Sequence, residues 1–496
     1  MPTTKAPHVI LLACPGAGHV LPMVVFAKRL AEDHGFTATI ITYSTLSLPT
    51  QFHSTIFASL PSSITTATLP AVALDDLPAD ARVETRMLTA VTRGLPDLRA
   101  LLAELVHDHH PNVVAFLADM FCAQALPLAA GLGLPPYVVY LSNLMLLSLM
   151  LHLPELDATT TCEYRDLPDL LRLPGCVPLR GADILDTIQD RSNPAYKLMV
   201  EMTRHLALAE GFVVNTFDGM EHDTVVAFKE MSDKGACPPV YPVGPFVRRP
   251  CLSLNDVDAA AARYGCLRWL DGQPDGSVLY ICFGSGGTLS VEQTGELAAG
   301  LEASGHRFLW VMHLPSDKDG SAAYFDHHGD DDDPMSFLPE GFTERTKGVG
   351  MCVPQWAPQV EVLNHRAVGG FVSHCGWNST LEAVEAGVPV VAWPLFAEQR
   401  MNAVMLSERA RMALRPREDE AGGRGRVVVS REEVEAAVRE VMEGEKGEAA
   451  RKKVSALKKK AAEALAPEGP SRKTLAAVVS RWKGAHCGVG NEHGSR

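Results

Sequence analysis

The chain has 496 residues, of which 46% are hydrophobic and 21% are charged. At roughly 100–200 residues per domain, this length and apolar content predict two to four globular domains and exclude a disordered or fibrous chain. Asp and Glu total 59 against 45 Lys and Arg, which gives a formal net charge of −14. Because nucleic-acid binders carry a basic surface, we expect no nucleic-acid partner.

The cysteines and apolar segments predict a cytoplasmic protein. The 11 cysteines are scattered and contain no C-x-x-C pair, which indicates free thiols in a reducing compartment and disfavours a disulfide framework or a zinc ribbon. No secretion signal is recognisable. The longest apolar stretch, Leu144–Leu151, is much shorter than the roughly 18–20 residues that span a bilayer, so no membrane insertion is expected.

Two series of short apolar runs, separated by amphipathic segments, predict an α/β fold with two units in tandem. Runs that are apolar on both faces are typical of parallel strands covered by helices. The first series is Val9–Leu12, Ala38–Tyr43, Val113–Leu117, Tyr137–Leu141 and Phe212–Phe217, and the second is Ser277–Phe283, Phe308–Met312, Gly350–Val353, Gly369–Val372 and Val388–Trp393.

The domain limits follow from the aperiodic, Pro-containing segment between the two series. We expect a first domain over residues 1–245, a linker over 246–262, a second domain over 263–470 and a terminal segment over 471–496. Within the second domain, Pro315–Pro334 is acidic and indicates a solvated surface loop. A metal site in this loop is disfavoured because no ligand spacing is recognisable, and we expect no bound metal.

The first apolar run leads into a glycine turn, Cys14-Pro15-Gly16-Ala17-Gly18-His19, and then a helical pattern. A dinucleotide-binding fingerprint needs a third glycine, but Leu21 stands at that position. His19 lies near the predicted helix N-terminus, whose dipole favours the neutral imidazole that a general base requires. The alternative is a histidine that only forms a hydrogen bond within the turn.

Asp119 follows the third apolar run, and the carboxyl ends of parallel strands share one edge of a sheet. We therefore expect Asp119 near His19, where its carboxylate would fix the imidazole tautomer and stabilise the imidazolium. The alternative is a helix N-cap before Met120. Covalent serine catalysis is disfavoured, since Phe283 replaces the first glycine of a G-x-S-x-G elbow at Ser285.

In the second unit, two segments predict a phosphate site. Gly284–Thr288 is a glycine loop after a strand, and Ser373–Thr380 places small residues and side-chain donors before a helix. Free amides and the helix dipole at such a helix N-terminus bind phosphate. No Walker lysine accompanies these segments, which disfavours a P-loop ATPase.

Residues Trp356–Gln399, WAPQVEVLNHRAVGGFVSHCGWNSTLEAVEAGVPVVAWPLFAEQ, resemble over all 44 positions the signature box of the plant secondary-product UDP-sugar glycosyltransferases. Other stretches look most like the hydroquinone glucosyltransferase branch of that family. The resemblance implies a GT-B fold, in which two Rossmann-like domains with parallel sheets face each other across a cleft. It also implies that the first domain holds the acceptor and the second the UDP-sugar, and that a final helix at Ser471–Trp482 returns to the first domain.

The resemblance further implies the residues that bind the donor. Trp356 is expected to stack on uracil rather than serve as a core tryptophan. Glu382 is expected to bind the ribose, although it could instead complete a capping box with Ser379. Gln399 favours glucose over galactose, and Glu398 stands where many members carry Asp. The full implied donor set is Ser285, Trp356, Ala357, Gln359, His374, Gly376, Trp377, Asn378, Ser379, Glu382, Glu398 and Gln399.

These expectations combine into one predicted reaction, with His19 and Asp119 as the catalytic residues. The enzyme would transfer glucose from UDP-glucose to a small phenolic acceptor with inversion, as a monomer and without a metal or any other cofactor. Glu84, Phe121 and Leu144 are the predicted acceptor contacts. Two alternatives remain open: a nucleotide-sugar epimerase or hydrolase of the same fold, and a catalytically silent UDP-binding protein.

Overall fold

The computed structural model describes residues 6–46, 56–58, 60–109, 112–248, 265–317, 320–324, 333–416 and 428–489. The chain divides into two compact units: unit 1 is Met1–Phe246 with Glu463–Arg496, and unit 2 is Val247–Ala462. Most of the predicted linker, 246–262, lies outside the described residues, as does part of the acidic segment Pro315–Pro334.

Unit 1 contains a seven-stranded parallel sheet with the strand order β3-β2-β1-β4-β5-β6-β7. Every residue of β1 and β4 is buried, as expected for central strands covered by helices on both faces. The strand order reverses between β1 and β4, which is where ligands bind in open α/β sheets. The strands are β1 (His8–Leu12), β2 (Thr37–Tyr43), β3 (Ile64–Leu69), β4 (Val113–Asp119), β5 (Pro136–Tyr140), β6 (Phe212–Val214) and β7 (Val240–Pro242).

The helix α1 begins within the glycine turn and connects β1 to β2. Its N-cap, Gly16, has φ 109°, a backbone conformation that favours glycine, and its C-cap, Gly35, is left-handed. The helix starts at Ala17, so Pro22 lies in its interior. The helices of the first 246 residues are α1 (Ala17–His34), α2 (Val83–Arg93), α3 (Leu95–His109), α4 (Leu126–Gly131), α5 (Leu144–Thr159), α6 (Pro194–Leu206) and α7 (Asp218–Asp233).

Unit 2 repeats the same winding on a six-stranded parallel sheet, with the order β10-β9-β8-β11-β12-β13. The strands are β8 (Val278–Cys282), β9 (Arg307–Met312), β10 (Gly350–Pro354), β11 (Val368–Ser373), β12 (Val390–Ala392) and β13 (Ala413–Leu414). The helices are α8 (Val291–Ser304), α9 (Phe342–Arg345), α10 (Gln359–Leu363), α11 (Trp377–Ala386), α12 (Gln399–Val404), α13 (Arg431–Glu443) and α14 (Glu445–Leu465).

The last helix, α15 (Pro470–Val489), belongs to unit 1 and contains the predicted helical segment Ser471–Trp482. Trp482 is buried and packs edge-to-face against Phe36 and Tyr137, and the Arg481 guanidinium donates to the Tyr241 hydroxyl at 2.8 Å. The C-terminal segment therefore completes the core of unit 1.

Three strands were not predicted, and each departs from the apolar pattern. β3 has exposed threonines between two buried ends, β7 has three half-buried residues ending in proline, and β13 has only two residues. All three lie at the edge of their sheets, where one side lacks a neighbouring strand and polar residues are tolerated. Among the described helices, none combines the length and the apolar character needed to cross a membrane.

Candidate active site

The carboxyl edge of β1 and β4 brings His19 and Asp119 together. His19 lies in the first turn of α1, and Asp119 is the last residue of β4. The His19 Nδ1 lies 2.9 Å from Asp119 Oδ2. Because a carboxylate accepts the hydrogen bond, the contact places the proton on Nδ1 and leaves the Nε2 lone pair available to take a proton.

Asp119 uses its two oxygens for different tasks. Oδ1 accepts a hydrogen bond from the Phe121 amide at 2.9 Å, so Asp119 is also the N-cap of the 3₁₀ helix Met120–Ala125. The capping role and the contact with His19 were alternatives in the sequence, and the structure shows both. The cap holds the carboxylate in a fixed orientation, with its side chain fully buried beneath the 13% exposed side chain of His19.

The predicted acceptor residues occupy different environments in unit 1. The Phe121 ring lies edge-on to the His19 ring, with centroids 5.3 Å apart. Glu84, in the first turn of α2, accepts a 2.7 Å hydrogen bond from the Thr187 hydroxyl, and burial raises the pKa of its carboxyl. Leu144 is fully buried at the start of α5. Phe121 thus contacts the His19 ring, whereas Glu84 is bonded to Thr187 and Leu144 begins α5.

In unit 2, α11 begins directly after the turn that follows β11. Its N-cap is Gly376, which provides no side chain to pair with the first amides of the helix. His374 is 9% exposed, and its Nδ1 has no hydrogen-bond partner among the described residues. Burial, with His313 nearby, lowers the pKa of His374 to about 4, so the ring is neutral at physiological pH. A buried polar atom without a partner beside a helix N-terminus fits an anionic ligand.

Two glycines enclose the His374 ring. A Cβ atom on Gly376 would lie 2.4 Å from His374 Nε2, and one on Gly284 would lie 2.6 Å from the same atom. Gly284 also has a φ of 76°. The glycine loop after β8 and the turn before α11 are therefore both shaped around this imidazole.

Backbone strain concentrates at the predicted donor residues. Five non-glycine residues of the described chain have a positive φ, and three of them, Gln355, Cys375 and Ala397, directly precede Trp356, Gly376 and Glu398. A left-handed backbone at a residue with a side chain costs of order 1 kcal/mol or more and persists where the surroundings impose it, often at binding sites. This strain was not visible in the sequence.

Gln359 joins two further predicted donor residues. Its Nε2 donates to Ser379 Oγ at 2.8 Å and to Glu382 Oε2 at 2.7 Å. The capping-box alternative for Glu382 is wrong, because Ser379 lies inside α11 and Gly376 is the N-cap. Burial raises the pKa of Glu382 to about 7 despite the bond from Gln359.

Trp356 is 48% exposed, so the alternative of a core tryptophan is wrong. An exposed indole is a suitable surface for stacking a planar base. It lies just before α10, on which Gln359 is the first residue.

The remaining predicted donor residues lie in the glycine loop, just before α10, and at the starts of α11 and α12. Ser285 is exposed in the glycine loop, whereas Ala357 and Trp377 are buried. Gln399, the first residue of α12, accepts from the amides of Leu395 and Phe396 through its Oε1 at 2.8 and 3.0 Å. Asn378 lies in the first turn of α11, and Glu398 is the N-cap of α12.

Sequence reasoning missed His313, which links the two halves of the site in unit 2. Its Nδ1 lies 2.9 Å from the Gly287 carbonyl and its Nε2 lies 2.8 Å from the Gln355 carbonyl. It thus ties the glycine loop to the strained residue before Trp356. A single histidine after β9 carries no motif, so no sequence signal could have revealed it.

Each unit therefore carries a glycine turn and a helix N-terminus at the carboxyl edge of a parallel sheet, which is the architecture of nucleotide-binding α/β proteins. The chain belongs to the family described as UDP-glucoronosyl and UDP-glucosyl transferase, whose model matches residues 259–462. It is 46% identical to the hydroquinone glucosyltransferase of Rauvolfia serpentina, and the match covers 96% of this chain and 98% of that protein.

Solved structures agree with this membership and confirm the GT-B fold. A UDP-glucosyltransferase from Polygonum tinctorium that is capable of glucosylating indoxyl, in complex with 3,4-dichloroaniline, has a TM-score of 0.86 at 42% identity, covering 97% of this chain and all of that one. Phytolacca americana UGT2, in complex with UDP-2fluoro-glucose and pterostilbene, has a TM-score of 0.84 at 41% identity, covering 96% of this chain and all of that one. The chain is a UDP-glycosyltransferase of the plant type.

Proposed function

We propose that this enzyme transfers glucose from UDP-glucose to a hydroxyl of a small aromatic acceptor and forms a β-glucoside. The observation that carries the proposal is the 2.9 Å contact between His19 Nδ1 and Asp119, which leaves Nε2 as a base. The acceptor class is supported by the relatives, one of which is named for hydroquinone and another is bound to pterostilbene.

The proposed reaction is a direct displacement. His19 Nε2 takes the proton of the acceptor hydroxyl, and the oxygen attacks the anomeric carbon of the sugar as the bond to the UDP oxygen breaks. Asp119 stabilises the imidazolium that forms. One displacement inverts the α-linked donor, so the product is a β-glucoside.

We propose that unit 2 binds the UDP-sugar without a metal. The amides at the start of α11 and the neutral His374 would donate to the diphosphate, and such fixed dipoles stabilise the charge that develops on the leaving group. Trp356 would stack on uracil, and Gln359 and Glu382 would bind the ribose. Ser285, Asn378 and Ser379 would add diphosphate contacts.

The sugar contacts are proposed for Trp377, Glu398 and Gln399. Because Oε1 of Gln399 holds the preceding turn, this side chain would reach a glucose hydroxyl through its Nε2 amide. For the acceptor we propose Phe121, beside His19, together with Glu84 and Leu144. We also propose a cytoplasmic location, which the nine free cysteines of the described chain support.

The test is incubation of the enzyme with UDP-glucose and a panel of phenols, anilines and aliphatic alcohols. We expect hexose adducts of phenols by mass spectrometry, and an anomeric proton coupling in the NMR spectrum that identifies the β-linkage. UDP release is measured with and without the panel. UDP release that does not depend on an acceptor would indicate a hydrolase, and conversion of UDP-glucose to another UDP-sugar without UDP release would indicate an epimerase. An α-linked product would exclude the single displacement.

A further inference from the structure

Three buried side chains meet behind the imidazole of His19. Cys14 lies two residues beyond β1, Asp119 ends β4, and Cys122 lies in the 3₁₀ helix that follows. One ligand atom of each side chain lies within 4.8 Å of the other two. In the part of the chain that the structure describes, no other group of three His, Cys, Asp or Glu side chains is this compact.

The two thiols lie close together and are shielded from solvent. Cys14, Cys122 and Asp119 all have 0% exposure. The Cys14 and Cys122 sulfurs lie within 4.8 Å of each other, and the buried Tyr43 side chain lies nearby. Burial raises the pKa of both thiols, so both are protonated at neutral pH when no cation is bound.

Two cysteine sulfurs and one carboxylate oxygen form a donor set suited to a soft or borderline divalent cation. Zn²⁺ binds Cys at about 2.3 Å and Asp at about 2.0–2.2 Å in tetrahedral geometry, which places these ligand atoms about 3.5–3.8 Å apart. The separations in the protein, up to 4.8 Å, therefore need to close by about 1.0–1.3 Å at most. Cd²⁺ is larger and softer than Zn²⁺, so it needs less contraction and prefers thiolates more strongly.

We propose that Cys14, Cys122 and Asp119 form an inhibitory binding site for a thiophilic divalent cation, with Cd²⁺ and Zn²⁺ as its ligands. Binding forms two metal–sulfur bonds and one metal–oxygen bond, and the two thiol protons are released to solvent. Water occupies the fourth coordination position. No electron transfer takes place.

The cation would act on catalysis through Asp119. A carboxylate that donates electron density to a cation, and that lies beside its positive charge, stabilises an imidazolium less well. Because Asp119 Oδ2 lies 2.9 Å from His19 Nδ1, a cation bound to this carboxylate would weaken the contact that orients the imidazole. UDP-glucose binding in unit 2 would be unchanged. This effect rests on the proposed roles of His19 and Asp119, whereas cation binding itself does not.

The experiment is a Cd²⁺ titration of the full chain under a phosphine reductant, with long incubation because the site is buried. Equilibrium dialysis measures bound Cd²⁺, and ultraviolet absorption measures the thiolate-to-cadmium charge-transfer band. Wild type is compared with Cys14→Ser, Cys122→Ser and Cys122→Ala. The matched control is Cys266→Ser, which changes another buried free thiol.

We expect one high-affinity Cd²⁺ in wild type and in Cys266→Ser, with a charge-transfer band for two sulfurs. A change in a residue that only hydrogen-bonds to a metal ligand already lowers metal affinity by roughly 10–100-fold. Each site variant removes a ligand itself, so its affinity for Cd²⁺ should fall by more than this. The loss of glucosyl transfer should increase with the fraction of protein that has bound Cd²⁺, and a chelator should restore the activity. The site variants should keep their activity when Cd²⁺ is present. Thermal melting and UDP-glucose binding verify that each variant is folded.

Equal Cd²⁺ affinity in wild type and in folded Cys14→Ser and Cys122→Ala would overturn the site. Full occupancy without loss of transfer would overturn its inhibitory role. If wild type binds Cd²⁺ through both cysteines but no acceptor is ever glucosylated, the site stands and the proposed function fails.

Discussion

The two predicted sites differ in how far the protein satisfies its own polar groups. In unit 1, His19 pairs with Asp119, and the other Asp119 oxygen pairs with the Phe121 amide. In unit 2, His374 Nδ1 is buried without a partner in the described chain, and three predicted donor residues follow strained backbone positions. The first site is a pair held in place by the fold, and the second is a set of polar groups that a ligand would complete.

This difference assigns different physical tasks to the two units. A base must have its tautomer fixed before the acceptor arrives, so its partners belong to the protein. A site for a diphosphate gains from donors that are buried and unpaired, since the ligand then replaces no internal hydrogen bond. Changes in unit 1 should therefore alter turnover, and changes in unit 2 should alter donor affinity.

The largest effect on turnover short of removing the base is expected for Asp119→Asn. The amide can still accept from the Phe121 backbone but no longer stabilises an imidazolium, so kcat should fall by about 10²–10⁴-fold. The affinity for UDP-glucose, measured by calorimetry, should stay unchanged. Asp76→Asn, at an exposed carboxylate of the same unit, is the control and should keep full turnover. Normal turnover in Asp119→Asn would contradict the assigned role.

A smaller effect, confined to donor affinity, is expected for Gly376→Ala. The added Cβ would lie 2.4 Å from His374 Nε2, while the φ of −58° itself accepts alanine. Displacing the imidazole should weaken UDP-glucose binding by about 10–100-fold, or about 1.4–2.7 kcal/mol.

The matched control for that variant is Gly295→Ala in α8, where a Cβ meets nothing within 4 Å. Donor affinity should not change, and the free energy of unfolding should rise by about 0.5–1 kcal/mol because alanine is the better helix former. An equal loss of affinity in both glycine variants would show that the enclosure of His374 is irrelevant to binding.

The pH dependence of donor binding should come from Glu382. Its pKa of about 7 reflects burial, opposed by Gln359 and Arg248 and reinforced by Glu361 and Glu385. If only the carboxylate accepts the ribose hydroxyls, UDP-glucose affinity should be constant above pH 7 and fall toward tenfold per pH unit below it.

Glu382→Gln provides the control for this dependence, since its weaker binding should not vary with pH. UDP-glucose is the ligand to use, because the terminal phosphate of UDP itself titrates with a pKa near 6. His374 does not interfere, as its pKa of about 4 keeps it neutral over this range. A pH profile that is the same in wild type and Glu382→Gln would exclude Glu382 as its source.

Much of the fold could be predicted because central parallel strands are apolar on both faces. All ten predicted runs correspond to strands, and the positions of His19 and Asp119 after β1 and at the end of β4 foretold their proximity. The edge strands β3, β7 and β13 could not be predicted, since exposed or very short strands lack that pattern.

The details of the site that depend on tertiary packing could not be predicted either. Nothing in the sequence shows that Gln359 bridges Ser379 and Glu382, or that His313 ties two carbonyls together. Side-chain pairs across different elements are set by packing that no local pattern encodes. The two roles of Asp119 are another case. The sequence offered the helix cap and the contact with His19 as alternatives, whereas one oxygen of the carboxylate forms the cap and the other contacts His19.

The central claim is that His19 is the base and acts independently of donor binding, and His19→Ala tests it most directly. The measurement is kcat for a weakly acidic and a strongly acidic phenol, together with the Kd for UDP-glucose. We predict a loss of about 10²–10⁴-fold with the weakly acidic phenol, a smaller loss with the phenol that is already ionised, and an unchanged Kd. Turnover close to wild type with the weakly acidic phenol would contradict the account.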